Sequence, residues 1–112
     1  MEKNMQTTGL HPMKKMEIII RGDRLSYLEE EIDQAGITGF TIVRDISGKG
    51  HDGFHGGRLI YNDIDSYVMI VAVAPWEKLE KVIYSMKPIL EEDSGVMFIS
   101  DTYVLRSEYY QK

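Results

Sequence analysis

The sequence predicts an α+β domain in which strands and helices follow the order β-α-β-β-α-β. Short runs rich in β-branched residues indicate the strands, and apolar residues that recur every three or four positions indicate the helices. The length of 112 residues is that of a single domain. The folded part is expected at residues 14–107, with a disordered lead-in at residues 1–13 and a tail at residues 108–112.

The first half of the domain is predicted to contain two strands with one helix between them. Residues 14–21 include an apolar, β-rich run and form the first strand, and residues 40–46 form the second. Asp23 or Ser26 is expected to cap the helix, and Gly36 occupies the position where a glycine commonly ends one. The apolar side chains at helical spacing form the predicted buried stripe of this helix: Leu25, Leu28, Ile32 and Ala35.

The second half begins with a long, glycine-rich loop at residues 47–65. Such loops are uncommon within compact domains and are usually functional or disordered. Residues 66–74 are apolar nearly throughout and are predicted to form a central strand. Pro75 suits the first turn of the second helix, and Pro88 is expected to bend that helix or end it early.

The chain is predicted to finish with a polar turn at residues 91–95, a strand at residues 96–100 and a short additional strand at residues 102–106. The complete order is that of the ferredoxin-like fold, a four-stranded antiparallel sheet with both helices on one face. The strands at residues 14–21 and 66–74 are apolar on both sides, so the second face also needs cover. A chain this small has no third layer to cover that face, so another copy of the chain is expected to cover it. The sequence therefore predicts an oligomer.

Composition excludes several classes of function. The net charge of −5 argues against nucleic acid as a partner, because binding to phosphate backbones needs a basic surface. The absence of cysteine excludes thiol catalysis and thiolate zinc, and it is typical of a cytoplasmic protein. No apolar run is long enough to insert in a membrane. No nucleophile paired with a base is apparent, so no enzymatic activity is predicted.

The segment Ser-Gly-Lys-Gly-His at residues 47–51 is a candidate binding site. It follows a β-branched strand and combines a lysine with glycines, whose backbone amides can approach a ligand closely. This combination favours an anion, and phosphate is the expected guest. The order strand, loop, strand differs from P-loop and Rossmann motifs, in which phosphate lies at a helix N-terminus.

Several segments together resemble the PII signalling family. Gly-Ile-Thr-Gly-Phe-Thr-Ile at residues 36–42 is similar to the element that enters the long T-loop of that family. Residues 13–21 resemble its opening strand, and residues 48–50 resemble the glycines at the base of the T-loop. Residues 71–75 resemble the strand that leaves this loop, and residues 95–101 resemble the B-loop and last strand.

The resemblance implies a PII-like trimer with an adenine nucleotide in each of the clefts between neighbouring subunits. By position in the motifs, the hydroxyl of Thr41 and the backbone of Val73 would contact the adenine. Gly48 and Gly50 would let main-chain amides approach the phosphates. Bound nucleotide would order the T-loop at residues 47–65, which would then dock on a target or release it.

The resemblance also implies which side chains would hold the phosphates. Lys49 would act as a point charge beside the glycine amides, and Ser94 and Gly95 would form the B-loop cradle. Arg106, from the region of the last strand, would reach the phosphates from across the subunit interface.

A separate group of residues is expected to bind an effector or small anion. Arg21 falls where nitrogen-regulatory PII proteins have a lysine near the effector pocket. His51 is a neutral or charged partner for a phosphate or small anion, and Arg58 could hold phosphate or bicarbonate with two parallel hydrogen bonds.

Departures from the PII pattern indicate a particular branch of the family. The loop is shorter than a full T-loop, and Tyr67 stands in place of the lysine that helps to hold 2-oxoglutarate. The sequence at residues 47–51 is closer to PII-like proteins associated with inorganic-carbon uptake and carboxysomes. That resemblance implies ADP, AMP or ATP as ligands, with bicarbonate as a second one. The implied target is a membrane transporter or a carbon-fixation component.

Other readings of the sequence remain open. The chain could form a ferredoxin-like trimer that binds a divalent metal through His51 and His55, or one that serves only as a structural scaffold. The chain could also be a nitrogen-regulatory PII protein, or a small enzyme of the dimeric ferredoxin-like type. Tyr109 and Tyr110 fit stacking on adenine, cover of a neighbouring subunit or a frayed terminus equally well.

Overall fold

The computed structural model describes residues 8–50, 53–55, 67–92 and 95–110. Its strands are β1 (His11–Arg21), β2 (Thr41–Ile46), β3 (Gly48–Gly50), β4 (Gly53–His55), β5 (Tyr67–Ala74) and β6 (Val96–Val104). Its helices are α1 (Leu25–Gln34) and α2 (Trp76–Glu92), and short 3-10 turns span Gly22–Arg24 and Ser107–Tyr109.

The main sheet has the strand order β2-β5-β1-β6, and each neighbouring pair is antiparallel. β1 therefore lies inside the sheet, while β2 and β6 form its edges. This arrangement of four antiparallel strands with two helices is the ferredoxin-like α+β fold, which confirms the predicted fold class. The domain limits at residues 14–107 stay a prediction.

The core lies between one face of this sheet and both helices. Alternate residues of β1 point into it, and Met16 and Ile18 are fully buried. Ile70 of β5 is opposite Ile18 and is buried on the same face. The predicted stripe of α1 is buried against this face. Each fully buried side chain of this size contributes roughly 1.5–3 kcal/mol of transfer free energy.

The opposite face of the sheet, called here the open face, carries no helix of the described part of the chain. Lys15, Glu17, Ile19 and Arg21 of β1 lie on it, and Ile19 is the apolar one of these four. Its apolar side chains include Val43, Val96 and Phe98, whose exposed fractions are 39%, 39% and 54%. The described residues thus leave this face incompletely covered, as predicted from the strands.

The end of α1 is fixed by Gly36, as predicted. Gly36 has a φ of +83°, and its N–H donates to the carbonyl of Asp33 at 3.0 Å. The N–H of Ile37 donates to the carbonyl of Ile32 at 3.2 Å, which completes a Schellman motif. Lys78 of α2 donates from Nζ to the Gly36 carbonyl at 2.9 Å and ties the two helices together.

The start of α1 differs from the prediction. Asp23 lies in the 3-10 turn before the helix and Ser26 lies within the helix, so neither is the cap. Arg24 is the residue at the N-cap, and it makes no side-chain cap hydrogen bond. The prediction of a side-chain cap was wrong, because the 3-10 turn leads straight into the helix.

The second helix starts and ends later than predicted. Pro75 lies just before α2, and its carbonyl accepts hydrogen bonds from Lys78 and Leu79 at 3.0 and 3.2 Å. Pro88 is inside the helix, which continues to Glu92. A proline lacks the N–H that would bond the carbonyl four residues earlier, but Pro88 is on the exposed side, where water can satisfy that group.

β1 and β6 are both longer than predicted. β1 begins at His11, and its first residues pair with the end of β6, Pro12 opposite Tyr103 among them. The additional strand predicted at residues 102–106 was therefore wrong, because residues 102–104 continue β6. Pro12 fits here because β5 extends only to Ala74, opposite Lys14, so β1 has one neighbour at this point.

The glycine-rich loop contains a second, two-stranded sheet. β3 and β4 are antiparallel, with Gly48 opposite His55 and Lys49 opposite Phe54. The prediction of irregular structure is thus wrong for these two strands. The rest of the predicted loop, at residues 51–52 and 56–65, lies outside the described residues.

Candidate functional site

Several predicted site residues meet at one end of the main sheet, called here the loop end. Arg21, Tyr67 and Ile46 form a row across β1, β5 and β2. β3 follows Ile46 directly, so the predicted phosphate-binding glycines start from this row. Gly95 precedes β6 at the same end, since Val96 pairs with Ile19.

Gly95 is held against β1 so closely that a side chain has no room. A Cβ atom at Gly95 would lie 2.7 Å from Leu90 Cδ2 and 3.0 Å from the carbonyl oxygen of Ile19. The carbonyl belongs to the backbone of the paired strand β1, so moving it would disturb the strand pairing and cost free energy. This glycine therefore brings the B-loop segment down onto the loop end of the sheet.

Arg21 is the last residue of β1, and its guanidinium group is only partly hydrogen-bonded within the described residues. Its Nη2 donates to Oδ2 of Asp23 at 2.6 Å, and both side chains are partly exposed. Its Nε is buried and has no hydrogen-bond partner within the described ranges. A buried donor without a partner is uncommon, and an oxygen of a bound anion would satisfy it.

Thr41 and Val73 lie near the point where β2 begins, with Val73 two residues beyond the partner of Thr41 in the direction away from the loop end. Thr41 is exposed, begins β2 and is opposite Val71. β5 continues beyond that point to Ala74, so β2 does not cover the edge of β5 at Val73. An uncovered strand edge offers backbone N–H and C=O groups, and the hydroxyl of Thr41 adds a further donor and acceptor.

Arg106 lies at the other end of the molecule. It follows β6, whose nine residues separate it from Gly95. A strand of that length spans about 30 Å. No mononucleotide can bridge this distance, so Gly95 and Arg106 of the same chain cannot bind the same phosphates.

The backbone at Arg106 is strained. Its φ and ψ of 59° and 50° are in the left-handed region, where arginine is uncommon. Such residues persist where the surrounding structure holds them, and they concentrate at functional sites. The conformation directs the chain out of β6 into the last 3-10 turn.

Three of the other predicted site residues form β3 of the two-stranded sheet. No heavy atom of the described residues lies within 4 Å of a Cβ added to Gly48, so packing against that part of the chain does not require a glycine there. Lys49 and Gly50 complete β3. Three further predicted residues lie outside the described residues: His51, Arg58 and Ser94.

Asp45 is a feature that the sequence reasoning missed. It has a φ of 57°, and the pairing of β2 with β5 shifts by one residue between Val43 and Ile46. An aspartate in a strand of β-branched residues is a weak signal of such a bulge, because aspartate is depleted in strands and tolerates positive φ.

An open depression of about 370 Å³ lies at the end of the sheet opposite the loop end. Trp76 and Tyr103 line it, together with the ion pair between Lys14 and Asp101. None of the predicted nucleotide-binding residues lines this depression. The described part of the chain contains no cluster of three metal-ligating side chains. Among the described helices, none has the length and apolarity to span a bilayer.

Comparison with known proteins identifies the family. The model of the family described as nitrogen regulatory protein P-II matches residues 13–109. The chain belongs to the P-II family. Proteins of the P-II family are signalling regulators that bind adenine nucleotides, and a trimer is typical of the fold. No curated protein sequence matches the chain.

Solved structures of P-II proteins resemble this chain to different degrees. CPII, a nitrogen regulatory PII-like protein from Thiomonas intermedia K12 bound to ADP, AMP and bicarbonate, is 37% identical with a TM-score of 0.86. That match covers 92% of this chain and 97% of CPII. CPII bound to ADP, AMP and acetate is 34% identical over 92% of this chain and 98% of CPII, with a TM-score of 0.77. The GlnK–ATP complex of B. subtilis, at 21% identity over 81% of this chain and 82% of GlnK, shares the fold with a TM-score of 0.58.

We predict that Gly95→Ala lowers the free energy of unfolding by about 1–3 kcal/mol, because its methyl group would clash with Leu90 and the Ile19 carbonyl. Gly39→Ala is the matched control, since no heavy atom lies within 4 Å of its added Cβ and its φ is not positive. It should change stability by less than about 1 kcal/mol. Urea denaturation at fixed protein concentration measures both, and equal losses would contradict the packing described for Gly95.

We predict that Arg106→Gly is more stable than Arg106→Ala by about 1 kcal/mol. Both variants lose the same guanidinium, so their difference isolates the left-handed backbone. Thermal unfolding of the two variants side by side measures it. An Arg106→Ala protein as stable as Arg106→Gly would show that the positive φ is not maintained in solution.

Proposed function

We propose that this protein is a PII-like signalling regulator that binds ADP or AMP between the subunits of a trimer and has no catalytic activity. The main support for this proposal is the distance between Gly95 and Arg106. The family resemblance assigns both residues to one phosphate site, and their separation along β6 requires that they come from different subunits. The structures of CPII with ADP and AMP support the choice of ligand.

The adenine is proposed to lie at the edge of the sheet beside Thr41 and Val73. A planar base with donors and acceptors along one edge can bond to the uncovered backbone of β5, as an added strand would. The Thr41 hydroxyl then contacts a further ring atom. An exposed edge beside an exposed hydroxyl provides these contacts without rearrangement of the core.

The phosphates are proposed to lie at the loop end. Gly48, Lys49 and Gly50 approach them from β3, and the segment at Ser94 and Gly95 approaches from the start of β6. Arg106 of a neighbouring subunit supplies the guanidinium that closes the site. Charge-assisted hydrogen bonds to phosphate of this kind are worth about 1.5–3 kcal/mol each.

The trimer is proposed to form through the open face of the sheet. Phe98 is 54% exposed in one copy, and Val43 and Val96 leave a further apolar surface beside it. Contiguous apolar surface of this kind is usually covered by a partner. The three-fold arrangement typical of the P-II fold covers it and brings the end of β6 of one subunit to the cleft of the next.

Bicarbonate is proposed as a second ligand near Arg21. The buried Nε of Arg21 has no partner within the described ranges, and a small carboxylate-like anion provides the missing acceptor. CPII was solved with bicarbonate and also with acetate, which has the same planar pair of oxygens. His51 and Arg58 are proposed to contact the same anion from the T-loop.

The output is proposed to be the conformation of the T-loop at residues 47–65. Nucleotide and bicarbonate contact its base at β3, so they stabilise an ordered loop over a free one by their differential contacts. The ordered loop then binds or releases a target in the cytoplasm. We propose an inorganic-carbon transporter or a carbon-fixation component of the carboxysome as that target.

Calorimetric titration with AMP, ADP and ATP, each with and without bicarbonate, tests the proposed function. Micromolar binding of a nucleotide supports it, and an affinity that changes with bicarbonate supports the second ligand. Absence of binding by every nucleotide would contradict the proposal and would favour metal titration at His51 and His55 as the next experiment.

We predict that Lys49→Ala and Arg106→Ala each weaken ADP binding about ten- to a hundredfold, because each removes one charge-assisted contact to phosphate. Lys87→Ala is the control, since it removes an equal charge from the exposed side of α2. Titration calorimetry measures the affinities, and size-exclusion chromatography checks that the oligomer persists. Unchanged affinity in both site variants would contradict the site assignment.

We predict that mixed trimers of Lys49→Ala and Arg106→Ala chains recover binding. Each mixed trimer contains about one cleft in which an intact Lys49 meets an intact Arg106 from the next subunit. Coexpression with two different affinity tags isolates these trimers, and ADP titration counts the tight sites. No recovery would contradict a cleft shared between subunits.

A further inference from the structure

Two non-glycine residues of the described chain have positive φ, and both flank the proposed nucleotide site. Arg106 is one of them and is already assigned to the phosphates. Asp45 is the other, and it lies three residues before Gly48, the first residue of β3. Residues with strained backbone concentrate at functional sites and switch segments. The positive φ of Asp45 therefore suggests that this residue has a function.

The strain at Asp45 coincides with an extra residue in β2. Val43 is opposite Met69 and Ile46 is opposite Tyr67, so three steps along β2 match only two steps along β5. This is a β-bulge, which bends the strand and changes the direction in which later side chains point. It lies at the point where the chain leaves the main sheet for the two-stranded sheet of β3 and β4.

The bulge decides which side chain completes the row at the loop end. With it, Ile46 is opposite Tyr67, which in turn is opposite Arg21. Without it, the carboxylate of Asp45 would take the place of Ile46 in this row, because a shift of one residue moves each side chain to the other face. A negative charge would then lie beside Tyr67, in the same row as Arg21 and close to the site proposed for phosphate.

We infer that Asp45 is a positioning residue for nucleotide binding: its left-handed backbone maintains the bulge that directs β3 toward the phosphates. This inference rests on the proposed function. Aspartate suits the position because it adopts positive φ more readily than most residues, whereas a β-branched residue does not. Asp45 acts through the backbone of Gly48 and Gly50 and need not touch the ligand.

Three variants at this position distinguish the effect of the backbone conformation on ADP binding from the effect of the charge. Asp45→Gly keeps the left-handed conformation without a side chain, and Asp45→Asn keeps it without the charge. Asp45→Val removes the charge and disfavours the conformation. Arg44→Val controls for a new β-branched residue in the same strand, because Arg44 has an ordinary φ.

The experiment is ADP titration of these variants, combined with NMR distances across β2 and β5 in the nucleotide-free protein. Asp45→Gly and Asp45→Asn should bind within about twofold of wild type, and Asp45→Val should bind about tenfold more weakly. The contact between Ile46 and Tyr67 should persist in the first two variants and shift to position 45 in the third. A merely structural role would lower the melting temperature without this pattern.

The possible failures are distinguishable. If Asp45→Val binds ADP as wild type does and keeps the Ile46–Tyr67 contact, the role of Asp45 is overturned and the proposed function stands. If Asp45→Asn and Asp45→Gly both bind ADP as weakly as Asp45→Val, the carboxylate itself is needed for binding. The inference about the backbone is then also overturned. If wild type binds no nucleotide, the proposed function fails and the inference fails with it.

Discussion

The pairing of β1 with β6 is the constraint on which the rest of the structure depends. It runs from His11 opposite Val104 to Ile19 opposite Val96, without interruption. At one end it presses Gly95 against the backbone of β1, and at the other it carries the chain out to Arg106. The same β1 also pairs with β5 and buries Met16 and Ile18 under the helices, so the core fixes the positions of both ends.

This geometry explains why a small domain would need copies of itself to form a binding site. One chain places the proposed phosphate-binding glycines at its loop end and Arg106 about 30 Å away. The open face of the sheet is the surface that copies can share, since its apolar side chains include the exposed Phe98. Assembly and ligand binding are then linked, because a ligand that contacts two subunits stabilises their association by mass action.

Sequence periodicity predicted the parts of the fold that burial controls. The stripe of α1 and the glycine that ends it follow from helical spacing and from the positive φ that a Schellman motif requires, and both are observed. Pairing partners were harder to predict, because propensity is local. Pro12 was predicted to lie outside the first strand, yet it pairs with Tyr103 at a point where β1 has a single neighbour.

In the candidate site, too, some features could be predicted from the sequence and others could not. Glycines and charged residues near the loop end could be selected from motifs, and the structure brings Arg21, Gly48 and Gly95 to that end. The bulge at Asp45 and the strained backbone at Arg106 could not be predicted, because tertiary structure imposes them against local preference. These strained positions carry the most direct information about how the chain enters and leaves the proposed cleft.

Native mass spectrometry of the protein with ADP tests the central claim most directly, because it counts subunits and nucleotides in the same particle. The account predicts trimers that carry up to three ADP molecules, with no ADP on monomers released at high dilution. Monomers that retain ADP would contradict it, since one chain would then bind the nucleotide without Arg106 of a neighbour.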